Sequence, residues 1–134
     1  MFSYRLTIRF GDTDPAGLVY YPNIYHYWHI AMEEFFAIRC RISYHQLVKN
    51  ERIGFPTIQV QTQFQHPVFY GDEVEIPISI AQIGRTSLTL DYKLKRVGDD
   101  MICANSQQVH VAMDLDTRRP VEIPQFLRDR LIEG

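Results

Sequence analysis

Residues 22 to 39, PNIYHYWHIAMEEFFAIR, decide how this chain folds. Ile24, Trp28, Ala31, Phe35 and Ile38 recur at intervals of three and four, the spacing that aligns one stripe of an α-helix, and Met32 and Phe36 widen its margin. Proline suits the first position of a helix, where its missing N–H costs nothing. The spacing predicts a helix from Pro22 to about Arg39. A face this apolar has to be covered, and the rest of the chain supplies strands to cover it.

Before the helix, Tyr4 to Phe10 alternates Leu6, Ile8 and Phe10 with Arg5, Thr7 and Arg9, the pattern of a half-buried strand. After it, Ser43 to Lys49 reads as a short helical piece, and Gly54 and Pro56 mark a break. Strand patterns follow. Thr57 to His66 sets Ile58, Val60, Thr62 and Phe64 against a row of glutamines; Glu73 to Gln82 alternates Val74, Ile76, Ile78 and Ile80; Thr86 to Arg96 alternates Leu88, Leu90, Tyr92 and Leu94. Met101 to Leu115 is expected to turn Val109, Val111, Met113 and Leu115 to one side. Turn signals at residues 83 to 86 and 98 to 100 join these runs as hairpins, so the sheet should be antiparallel. Pro77, inside a strand pattern, points to an edge, a bulge or a local break. Pro124 to Ile132 closes the chain with a short helix. The resulting class is α+β: a long central helix wrapped by a curved antiparallel sheet.

At 134 residues the chain is expected to form a single domain, 1 to 134. Its 46% hydrophobic and 22% charged residues are ordinary for a globular protein. No apolar run approaches the roughly 18 residues that a membrane-spanning helix needs. The start, MFSYRLTIRF, alternates instead of forming a signal-peptide core, so no membrane association and a cytoplasmic location are expected. A net charge of −2 argues against nucleic acid, while leaving room for a small anionic ligand held by a few arginines. Cys40 and Cys103 lack the spacing of a zinc site or disulfide framework. His26 and His29, three apart on the helix, have no third ligand placed with them, so no metal is expected. His45, His66 and His110 are scattered, and each reads as a satisfied, partly buried side chain.

The segment leading into the helix, residues 10 to 23, FGDTDPAGLVYYPN, carries the chemistry. Asp14 precedes a turn-forming Pro-Ala-Gly run and an aromatic-aliphatic patch from Leu18 to Tyr21. The helix start beyond it offers N–H groups without intrahelical partners, at the positive end of the helix dipole. A carboxylate close to such an end can attack an acyl group whose oxygen the end stabilises. Asp12 reads as structural, capping the turn.

On this motif, and on the Gly-Phe-Pro run at 54 to 56, the Pro67 to Asp72 turn and the Gly84 to Ser87 hairpin, the chain resembles the hotdog-fold acyl-CoA thioesterases of the 4-hydroxybenzoyl-CoA thioesterase type. The resemblance covers nearly the whole length. It implies that Asp14 attacks the thioester carbonyl or activates the water that does, and that the backbone N–H of Tyr21 holds the carbonyl oxygen, since Pro22 has none. No cofactor is implied, because a thiolate from a thiol of pKa about 8.5 leaves without strong acid help. For the phosphates of the acyl-CoA substrate it points to Arg85 and Arg119, with Arg118 beside the latter. The pocket wall would come from Tyr20, Tyr25, Trp28, Met32 and residues near Thr57 to Gln59, suiting an aryl or short-chain acyl group. Relatives commonly carry an acidic residue two turns into the helix, where this chain has His29. The fold further implies a homodimer or homotetramer with sites shared between chains. Two alternatives stay open: a hydratase-type enzyme on the same fold, whose histidine-containing loop is not found here, and a non-catalytic binding module for acyl-CoA or acyl carrier protein.

Overall fold

A computed structural model describes residues 1–133. Its elements in chain order are β1 (Phe2–Thr7), a 3-10 turn (Phe10–Asp12), α1 (Tyr21–Arg39), α2 (Tyr44–Lys49), β2 (Ile53–Gly54), β3 (Thr57–Phe64), β4 (Glu73–Ile83), β5 (Ser87–Arg96), β6 (Ile102–Val111), β7 (Met113–Asp114), β8 (Arg119–Pro120) and α3 (Gln125–Ile132). Five strands form one antiparallel sheet in the order β1-β4-β5-β6-β3, and β2, β7 and β8 form a small second sheet. The α+β class and the wrapped central helix are as the patterning predicts. No helix among the described residues is long and apolar enough to cross a membrane.

The stripe on α1 is the reason for the arrangement. Ile24, Tyr27, Trp28, Ala31, Met32, Phe35 and Phe36 are buried, against Val74, Ile76 and Ile78 of β4 and Leu88, Leu90, Tyr92 and Leu94 of β5. Each large side chain removed from water this way contributes about 2 kcal/mol. The helix starts one residue earlier than expected, with Tyr21 first and Pro22 second. Its neighbour α2 begins after Ser43, whose hydroxyl accepts from Gln46 N at 3.1 Å. Pro77 sits in the interior strand β4, and pairing toward β5 lapses there, between Glu75↔Lys95 and Ile78↔Tyr92.

Two strands differ from the sequence reading. β1 ends at Thr7 instead of running to Phe10. The Ile8 and Gly71 amides bond across to the Asp72 and Ile8 carbonyls, after which the chain turns away and leaves Phe10 74% exposed. More consequential is β6. Its buried, helix-facing side is Ala104, Ser106, Gln108 and His110, whereas Val109 is only half-buried on the other side. Polar residues hold most of the inward positions of β6, and of the valines set on the other side only Val111, at the strand's end, is buried. Burial of the polar side chains is tolerated because partners on β3 and β5 satisfy them.

Candidate active site

Asp14 lies in a loop folded back on itself. Its N–H donates to the Leu18 carbonyl at 2.8 Å, and the Gly17 N–H returns to the Asp14 carbonyl at 2.9 Å. Gly17 takes φ +82°, a conformation that disfavours any side chain. Within this loop the Asp14 Oδ1 accepts from Ala16 N at 2.9 Å and from Leu18 N at 3.4 Å. Those bonds fix the carboxylate plane, and Oδ2 has no partner among the described residues. Asp12 is tied differently. Its carbonyl accepts from Tyr20 N at 3.0 Å and Asn23 Nδ2 at 2.9 Å, and its Oδ2 accepts from Arg9 N at 3.2 Å. Asp12 thereby joins the turn to the first residues of α1. Beneath it, the buried Tyr27 hydroxyl makes no hydrogen bond of good geometry. Burial, reinforced by the nearby Asp12 carboxylate, holds that hydroxyl far above its ordinary value.

Tyr21 is the first helical residue, so its N–H has no intrahelical carbonyl to meet, and no other acceptor engages it among the described residues. Tyr20, the capping residue, is 51% exposed and Tyr21 59%. The two chemical groups line adjacent clefts. Asp14 lines one of about 490 Å³ with Phe10, Thr13, Gly17 and Tyr70; Tyr21 lines one of about 260 Å³ with Leu18, Ile24, Phe64 and Val68. Gly17 lines the first cleft and its neighbour Leu18 the second.

Along α1 on its β3 side the Tyr21 cleft is followed by a second cavity. Tyr21 and Tyr25, one turn apart, both pack edge-on to Phe64, with ring centroids 6.0 Å apart in each case. A further turn on, His29 faces a cavity of about 200 Å³ shared with Tyr25, Met32, Thr57, Tyr92, Gln108 and His110. His29 also lies 3.3 Å from Glu33. The structure therefore brings together Tyr25, His29, Met32 and Thr57 from the sequence-derived set. Trp28 stands behind them, fully buried, with its indole N–H on the Lys93 carbonyl at 3.2 Å.

Sequence reasoning left His110 outside the site. It is 2% exposed, with Nδ1 3.0 Å from Thr57 Oγ1 and Nε2 2.8 Å from the Tyr92 hydroxyl. Burial pushes it down to about 4, and the neighbouring His29 adds to the shift, so the imidazole is neutral. Beside it Gln108 Nε2 donates to Ser106 Oγ at 3.2 Å, and Ser106 Oγ meets Thr62 Oγ1 at 2.9 Å. The available signal was the run Ser106, Gln108, His110 at every second position of a strand.

Arg85 and Arg119 are placed elsewhere. Arg85, in the β4–β5 turn, pairs with Glu122 at 3.0 Å; Arg119, in β8, is exposed and makes no ion pair among the described residues. Both sit at the far end of β4 from the Asp14 loop, which docks on Val68 and Tyr70 before β4 begins. Eleven residues of β4 separate the two ends, about 35 Å at the rise of a strand. Among the described residues no cluster of three or more His, Cys, Asp or Glu side chains is placed to hold a metal.

A family model described as the thioesterase-like superfamily matches residues 8–131. A 1,4-dihydroxy-2-naphthoyl-CoA hydrolase from Thermosynechococcus vestitus is 31% identical over 124 residues, 92% of this chain and 84% of that protein. Among solved structures, a gentisyl-coenzyme A thioesterase superposes with TM-score 0.86 at 28% identity, over 95% of this chain and 99% of the other. A 1,4-dihydroxy-2-naphthoyl-CoA thioesterase from Synechocystis superposes with TM-score 0.89 at 23% identity, over 98% and 96%.

Proposed function

The chain belongs to the thioesterase-like superfamily, and from that premise we propose that it hydrolyses the thioester of an aryl acyl-CoA to free acid and CoA, using Asp14 and the Tyr21 N–H. It is a hotdog-fold thioester hydrolase; the residues, the acyl group and the assembly are the proposal.

The observation that carries the reading is the held carboxylate. With Oδ1 pinned by two amides, Oδ2 is the oxygen left to act. It lies at one end of a short loop whose other end is an unpaired N–H at a helix start. A thioester crossing the Gly17–Leu18 peptide would set its carbonyl oxygen on that N–H, where negative charge developing on the oxygen is stabilised. Asp14 then adds to the carbonyl carbon, CoA leaves as thiolate, and water cleaves the acyl-aspartyl anhydride; or Asp14 takes the proton of the attacking water directly. Single turnover in ¹⁸O-water tests the first route, because label enters the Asp14 side chain only when water opens an acyl-aspartyl anhydride at its aspartyl carbonyl.

The aryl preference follows from the two cavities along α1. Tyr21, Tyr25 and Phe64 give them aromatic walls, and the relatives named above are called after hydroxylated aryl thioesters.

The assembly follows from β3. It is an edge strand exposed along nearly its whole length, with Ile58 64%, Val60 42% and Phe64 47% exposed. An apolar edge of this kind invites pairing. A second copy pairing antiparallel through β3 would lay its Thr57 end beside the Phe64 end of the first. The Thr57 end adjoins His110, Leu88 and the Arg85 turn. The partner's phosphate-binding arginines would then approach Tyr21 and Asp14, which the 35 Å span forbids within one chain. Ile58→Lys should convert the dimer to monomer in sedimentation velocity and abolish turnover. A monomeric variant at full activity would refute the shared site.

The function is tested with purified protein and a panel of aryl, short-chain and long-chain acyl-CoAs assayed for thiol release. The highest kcat/KM is expected for aryl substrates. A panel without release, or one led by long chains, overturns the reading.

A further inference from the structure

The cavity two turns along α1 from Tyr21 is lined by groups that the hydrolytic chemistry does not use. Thr57, His110 and Tyr92 form a continuous chain of hydrogen bonds, Thr57 Oγ1 to His110 Nδ1 at 3.0 Å and His110 Nε2 to Tyr92 Oη at 2.8 Å. All three line the cavity, together with Gln108, whose Oε1 has no partner among the described residues. Tyr92 is 1% exposed at the inner end, and Thr57 stands at the open edge on β3.

A neutral imidazole carries one proton on two nitrogens, so this chain has two arrangements. In one, Tyr92 donates to Nε2 and Nδ1–H donates to Thr57, leaving the Thr57 O–H free to donate into the cavity. In the other, Thr57 donates to Nδ1 and Nε2–H donates to Tyr92, leaving the Thr57 oxygen free to accept. His110 stays neutral across the working pH range because burial holds it down to about 4.

We propose that the Thr57–His110–Tyr92 chain is a reversible hydrogen-bond relay that reads a polar substituent at the distal end of the acyl group and accepts donor and acceptor substituents alike. Tyr21 and His29 are eight residues apart, about 12 Å along the helix axis. A hydrogen bond of about 3 Å at each end leaves about 6 Å, the length of one aromatic ring with a substituent opposite the carbonyl. A carboxylate in this position would accept from a hydroxyl and repel a lone pair. The relay does neither exclusively, which is the property that distinguishes it. The inference rests on the acyl-CoA reading above and adds the residues that select the acyl group.

The test uses four para-substituted benzoyl-CoA esters in two matched pairs, hydroxy against methyl and methoxy against ethyl. Wild type should favour the polar member of both pairs by at least tenfold in kcat/KM. Thr57→Val, nearly isosteric and on an exposed strand, should bring both ratios to within twofold of unity. Tyr92→Phe leaves Thr57 in place and strips the inner end, so both ratios should fall at least threefold. A preference for hydroxy over methyl without one for methoxy over ethyl overturns the relay, as does retention of both ratios in Thr57→Val. If wild type hydrolyses none of the four, the aryl acyl-CoA reading fails. The relay is then judged by calorimetric binding of the four free benzoic acids to wild type and Thr57→Val: the same order, lost in the variant, sustains it, and equal binding overturns it.

Discussion

The two ends of the site along α1 are built on different principles. At the loop end, Asp12, Asp14 and Asn23 are held by backbone groups two to eleven residues away, as in Asp14 with Ala16 and Leu18. At the sheet end, Thr57, Tyr92, Gln108 and His110 come from three strands, and His110 meets partners 53 and 18 positions distant. A short local loop orients one reactive oxygen, and a cross-strand network holds a neutral, mostly buried polar surface. The difference implies a division of labour in which the loop end performs chemistry on every substrate and the sheet end chooses among substrates.

The sharpest way to break that comparison is Asp14→Asn. Hydrolysis should fall by about 10³ or more on every acyl-CoA, without changing the ranking among them, because the lost oxygen is common to all. Steady-state thiol release across the panel checks this, and a change of ranking would mean that the loop also selects.

The next effect belongs to the sheet end and is one of stability. His110 binds a proton near 6.5 when unfolded but only at about 4 when folded. Between those values the unfolded state carries more protons, so stability is full above pH 6.5 and declines as pH falls toward 4, by about 3 kcal/mol in total. His110→Gln should lose that acid limb. Urea unfolding at pH 7.5, 6 and 5 measures the slope, and an equal slope in wild type and variant would place the acid sensitivity elsewhere.

A smaller effect is expected from Asn23→Ala, which removes the side-chain bond to the Asp12 carbonyl. The cost to folding is about 1 kcal/mol. Turnover should drop roughly tenfold through looser placement of the Tyr21 N–H. Thermal melts and kcat together check it; a loss in KM alone would assign Asn23 to binding.

The same contrast explains what the sequence could and could not disclose. The α1 stripe, the hairpin turns and the Asp14 loop are local, so periodicity and turn chemistry expose them. Alternation carries β1 three residues past its end at Thr7, because what fixes that end is the bonding of Ile8 and Gly71 across sixty-odd positions. In β6 alternation sets Val109 and Val111 on one side, yet the face turned inward carries Ser106, Gln108 and His110, made tolerable by Thr62, Thr57 and Tyr92 on the neighbouring strands, while Val109 is half-buried and Val111 buried. Where a hydrophobic pattern fails on a central strand, polar residues have been carried inward at a cost, and here they line a cavity.

The central claim is that the thioester oxygen rests on the Tyr21 N–H beside Asp14. Raman difference spectroscopy of a ¹³C-carbonyl aryl-CoA bound to Asp14→Asn tests it most directly. The expected result is an intact bound thioester with its carbonyl stretch shifted to lower wavenumber than in free solution. Hydrolysis at the wild-type rate, or an unshifted stretch on a saturated enzyme, would contradict it.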